Sequence, residues 1–147
     1  MSNEARLDVS TVPLVRGGSS FSVMGTVAYS SAADLERGTV MAKVSATGKY
    51  VAFTNEAATD GTAIPAGIYL GRTIEAADLD GTDITNLPIL SGGCCTVDAD
   101  QVKLHNSKTL DTAIGGAAAF NATVRDVLAW RGIFVEDTVD IDGFENS

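Results

Sequence analysis

Few residues in this sequence are equipped for chemistry, so their types and spacing are the first test. The chain has one histidine, His105, and two cysteines, Cys94 and Cys95. A serine or cysteine nucleophile would need His105 as its base. No serine sits in a GxSxG elbow, and a lone histidine between Leu104 and Asn106 reads as a surface residue at a strand end. Adjacent cysteines can bridge only through a strained ring. They also lack the CxxC spacing of a redox or zinc site. The pair is expected on a strand after a Gly92-Gly93 turn, with one side chain in and one out. Reduced thiols fit a protein assembled in a cytoplasm.

The carboxylates are no more committal. Asp78-Leu79-Asp80-Gly81-Thr82-Asp83 has the oxygen ligands calcium favours. It lacks the EF-hand spacing, because the glycine comes too early and no glutamate closes the loop. It reads as a turn, with a weak cation site as the alternative, and the same holds for Asp140-Ile141-Asp142-Gly143. The glycine pairs at 17–18, 92–93 and 115–116 match no phosphate-binding pattern. Asn121-Ala122-Thr123 is a formal glycosylation sequon, but MSNEARLDVS has no apolar core and does not read as a secretory signal. The sequence therefore assigns no catalytic residue, no metal ligand and no cofactor.

Charge narrows the partners. Nineteen acidic residues face ten basic ones, for a net charge of −9. Nucleic acid and anionic membrane both require clustered Lys and Arg. Here the basic residues are scattered singly, so neither partner is expected. Beyond Arg131 the chain carries Glu136, Asp137, Asp140, Asp142 and Glu145 with no basic residue, which reads as a solvated acidic tail over 136–147. At 147 residues and 45% apolar, the chain can bury a core of its own in one domain. No run of eighteen apolar residues crosses a membrane.

The elements that would position any site read as β. Phe21-Ser22-Val23 and Gly25–Tyr29 alternate in size. Thr39–Val44 and Lys49–Phe53 form a hairpin around Ser45-Ala46-Thr47-Gly48, and Gly38 supplies a positive φ before it. Ala66–Ile74 is a further strand. Ile84–Leu90 tolerates Pro88 and so is expected at an edge. Cys94–Val97 and Gln101–Leu104 are expected as short separate strands. Near the end, Thr123 and Asp126 have capping-box spacing. Val124, Val127, Leu128 and Arg131 have helical spacing, and Gly132 is placed to end the helix. Ile133-Phe134-Val135 follows as a buried strand. The sum is a mostly β domain over 21–135, a β-barrel-like bent ribbon with one or two short helices.

Residues 1–20 read differently. Leu7, Val9, Val12, Pro13, Leu14 and Val15 precede Gly17-Gly18-Ser19-Ser20. This is a flexible N-terminal arm, either a frayed end or a segment whose apolar residues anchor on a partner. Trp130, the sole tryptophan, and Phe134 are either core residues or self-association anchors.

Several segments resemble one family. They are Leu35-Glu36-Arg37-Gly38-Thr39-Val40-Met41, Thr47-Gly48-Lys49-Tyr50, Asp60-Gly61 and Pro65-Ala66-Gly67-Ile68-Tyr69-Leu70. Val124-Arg125-Asp126-Val127-Leu128 and Gly132-Ile133-Phe134 add to them. Over roughly residues 25–135 the chain resembles the head decoration, or capsid cement, proteins of tailed bacteriophages of the lambda type. The resemblance implies a β-clip fold and a structural virion protein rather than an enzyme. It implies homotrimers at threefold and quasi-threefold sites on the outer surface of the expanded head, bound to the major capsid protein and stabilising it against DNA pressure. The arm would be the capsid-binding element. A small surface adhesin or display module and a metal-dependent β-clip hydrolase are the competing readings.

Overall fold

The computed structural model describes residues 14–28, 34–79, 82–114 and 122–137. Six strands form one sheet: β1 (Val15–Val27), β2 (Val40–Lys43), β3 (Tyr50–Ala52), β4 (Pro65–Tyr69), β5 (Ile84–Asp98) and β6 (Ile133–Glu136). A helical turn, α1 (Ala76–Leu79), and a helix, α2 (Val124–Trp130), complete the elements, with a 3-10 turn at Ala99–Gln101. The strand order is β1-β3-β2-β4-β5-β6, and β1 also pairs with β5. Five strands therefore close into a small barrel. The seam between β1 and β3 is narrow, the single parallel pair Val27↔Tyr50. β6 extends the sheet beyond the barrel, parallel to the far half of β5.

Local chemistry explains most elements. The hairpin of β2 and β3 pairs Met41 with Ala52 and Lys43 with Tyr50. It turns through Gly48, which has a φ of 73° that side chains resist. Gly38 has a φ of 96°, and a Cβ there would lie 2.0 Å from the Gln101 carbonyl oxygen, so the backbone approach itself requires glycine. The α2 capping box forms as its spacing predicts. The Thr123 hydroxyl accepts from the Asp126 amide, and the Asp126 carboxylate accepts from the Thr123 amide.

The inner strands are buried on both faces. β4 is buried throughout. One core, inside the barrel, gathers Val27, Met41, Tyr50, Tyr69 and Ile89. The other gathers Val40, Ile68, Leu90, Val97, Leu128 and Ile133 on the opposite faces, beneath α2 and β6. Two-sided burial accounts for the high content of small and β-branched residues, because strands enclosed on both sides lose the polar half of the alternation.

Four expectations change. Gly92 and Gly93 do not turn the chain. They lie inside the continuous 15-residue β5, and Phe21 and Ser20 pair with them. The smallness of Gly92 admits the turn after α2, since a Cβ there would meet the Arg131 carbonyl oxygen at 2.6 Å, and that of Gly93 admits the β1 backbone at Ser19. β5 is also not an edge strand, since β1 flanks it on one side and β4 and β6 on the other. Pro88 fits because its carbonyl accepts from the Leu70 amide just past the end of β4, so its missing N–H costs no ladder bond within that strand. The strand expected over Ala66–Ile74 ends at Tyr69, and Ile74 survives only as an isolated bridge to Leu35. The strand expected over Gln101–Leu104 is instead the 3-10 turn followed by a lone bridge from Lys103 to Thr39.

Candidate functional site

The residues with chemical potential are not brought together. Cys94 is exposed and Cys95 buried, both free, as strand alternation requires. Burial pushes the Cys95 thiol up, and the neighbouring Cys94 adds to it. His105 lies in a loop, and its Nε2 is buried without a hydrogen-bond partner among the described residues. Asp78 belongs to α1, Asp83 pairs with Lys49, and Asp80 and Gly81 lie outside the described residues. Among the described residues no three His, Cys, Asp or Glu side chains group as a metal site would need.

Three surface features remain. The first is the junction of the arm. Leu14 is 1% exposed and packs in the core with Val97 and Leu128. Its carbonyl accepts from the Asp98 amide, and Val15 pairs with Val97. The free arm expected through residue 20 thus gives way to sheet at Leu14. Gly17-Gly18-Ser19-Ser20 is not a hinge but strand, running opposite Thr96, Cys95, Cys94 and Gly93. Gly18 is required there by contact: a Cβ on it would lie 2.1 Å from the Cys94 carbonyl oxygen. Leu7, Val9, Val12 and Pro13 lie outside the described residues. Among the described residues, positions 15–25 of β1 pair on one side only, with β5, which leaves an open edge continuous with the arm.

The second feature is the corner of α2 and β6. Trp130 ends the helix and is 64% exposed, and Phe134 is 43% exposed between buried Ile133 and Val135. Neither is a core residue of the single chain. The α2 stripe explains this, since Val124, Val127 and Leu128 already fill the face toward the sheet and Trp130 falls off it. Gly132, with a φ of 89°, carries the chain from the helix onto β5, where its carbonyl accepts from the Cys95 amide. The Arg131 guanidinium donates to the Pro65 carbonyl, and Arg125 donates to Val135, so the corner is held on both sides. Across the sheet Phe134 is a neighbour of Thr96, and Thr96 of Gly17. The result is a low surface of small residues with two aromatic rings at its rim.

The third is β1 itself. Phe21 and Met24 are 60% and 64% exposed. The sequence treats them as ordinary strand residues, and its alternation points Phe21 to the same side as Val23. A register shift opposite Phe21 and Ser22 inserts one extra residue, Ser91, into β5. Nothing local announces the shift, which arises from the pairing with Gly92.

What the described residues present is exposed apolar side chains and an open strand edge. A comparison with curated proteins found no match. A comparison with family models found one, described as bacteriophage lambda head decoration protein D, which matches residues 15–114 and so spans β1 to β5 and the loop that follows. That span covers more than half of the chain and the whole barrel, and the chain belongs to the bacteriophage lambda head decoration protein D family, whose members are structural proteins of the phage head.

Proposed function

We propose that this protein sits on the outside of the expanded phage head as homotrimers at threefold and quasi-threefold positions. There it bridges copies of the major capsid protein and stabilises the shell against the pressure of packaged DNA. The family match over residues 15–114 carries the reading. The surfaces support it. Leu7, Val9, Val12 and Pro13 precede the open edge of β1, where strand addition can extend the sheet. Leu14 and Val15 fasten that arm to the core. Trp130 and Phe134 stand exposed on a rigid corner, the placement expected of anchors between copies. A protein that binds only the expanded state stabilises that state by mass action. A net charge of −9 suits an exterior position away from DNA.

The test is co-sedimentation of purified protein with expanded, undecorated heads, with unexpanded proheads as control. Saturable binding to expanded heads alone, in multiples of three, is the expected result. Binding to neither particle would overturn the reading.

A further inference from the structure

A groove of about 420 Å³ opens at the end of the barrel remote from β6. Its floor is made where Gly25 lies against the Tyr50 ring, so closely that a Cβ on Gly25 would come within 2.7 Å of it. Met24, Thr47, Lys43 and Lys49 stand around it. Among the described residues no carboxylate lines the groove, although the chain has nearly twice as many acids as bases. Lys43 lies over the Tyr50 ring at 5.5 Å and has no carboxylate partner among the described residues. Lys49 pairs with Asp83 at 2.5 Å at the margin, with both groups partly exposed. The groove therefore offers cationic heads beside the exposed Met24 thioether, above a Tyr50 ring that is itself buried.

The C-terminal segment carries the complement. Val139-Asp140-Ile141-Asp142-Gly143-Phe144-Glu145 alternates apolar and acidic residues, with no basic residue after Arg131. We propose that the groove receives this acidic segment from a second copy of the chain. The carboxylates would meet Lys43 and share Lys49 with Asp83, and an apolar side chain would meet Met24. Reach favours the second copy. β6 runs parallel to β5 and ends with Glu136 beside Asp98, whereas Met24 lies opposite Pro88. Those positions are separated by about 33 Å of strand, at roughly 3.3 Å per residue. Glu145, the last acidic residue of the segment, can extend at most about 31 Å from Glu136, and part of that length is spent because the chain must first reverse direction. A neighbouring copy has no such constraint.

The test mixes two full-length preparations. One is isotope-labelled wild type. The other carries Cys94→Ser and Ser147→Cys with a spin label on the new thiol, Cys95 being buried. The expected result is loss of amide peak height at Thr47, Gly48 and Lys49 in the mixture, fading as salt shortens the Debye length from about 10 Å toward 3 Å. Lys43→Glu in the isotope-labelled copy abolishes the loss, and Asp140→Lys with Asp142→Lys in the spin-labelled copy restores it. No loss in the mixture, loss confined to the Trp130–Phe134 corner, or loss only when both labels share one chain would overturn the proposal. The contact needs two copies and no head, so failure of head binding would leave it standing.

Discussion

Replacing Trp130 by alanine separates a fold residue from an assembly residue. The side chain is 64% exposed, so about a third of its surface is buried in the single chain. A tryptophan buries up to about 250 Å², and a third of that at about 25 cal/mol per Å² gives roughly 2 kcal/mol. Compact unfolded chains already bury part of this area, so about 1–2 kcal/mol is the expected cost. Leu128→Ala is the internal standard. Leu128 is fully buried two residues earlier, on the opposite face of the helix and within the main core, and its truncation should cost about 2–5 kcal/mol. Both are read by urea unfolding at low protein concentration. Assembly should show the opposite order. An interface anchor of that size contributes about 2 kcal/mol or more, which weakens self-association or head occupancy about 30-fold. If Trp130→Ala destabilises the monomer as much as Leu128→Ala, or leaves both self-association and occupancy unchanged, the assignment of the α2–β6 corner fails.

Four further outcomes follow from the same geometry. Leu14→Ala should cost about 2–5 kcal/mol of monomer stability by chemical denaturation, whereas removal of residues 1–13 should leave the melting temperature close to wild type and lower head occupancy. Equal thermal effects would contradict the placement of the sheet boundary at Leu14. Thr123→Ala removes the cap of α2 and should cost about 1 kcal/mol, read in the same denaturation series. Gly132→Ala should cost more than about 1 kcal/mol, because a Cβ would meet the Gly93 carbonyl oxygen at 1.9 Å on a backbone with positive φ, and a neutral result would exclude that contact. The Cys95 thiol is raised by burial, so its contribution to stability is present below the ordinary thiol range near pH 8.5 and lost as pH rises through the higher folded value. Cys95→Ala should flatten that alkaline decline in a series of melts across pH, and an unchanged slope would assign the decline to other groups.

The sequence by itself determined the features that rest on near neighbours. Capping at Thr123 and Asp126, the positive φ of Gly132 and the hairpin around Gly48 all involve groups within a few residues, so type and spacing suffice. Scattered bases, one histidine and adjacent cysteines were likewise visible as residue types and spacings, and they shaped the expectations about chemistry and partners. The glycine-punctuated strand segments carried the family resemblance through the same local backbone requirements, and the family match bears it out. Tertiary structure decided what depends on distant pairing. Gly17-Gly18 and Gly92-Gly93 look like hinges and turns in sequence, yet Gly18, Gly92 and Gly93 are small because another backbone lies against each. Leu14 looks like one more apolar residue of an arm until Val97 and Leu128 enclose it. Exposure of Trp130 follows from the helix face already filled by its neighbours. Apolar character records only that a side chain avoids water. Whether it does so inside one chain or against a partner is set by which surfaces the fold leaves open.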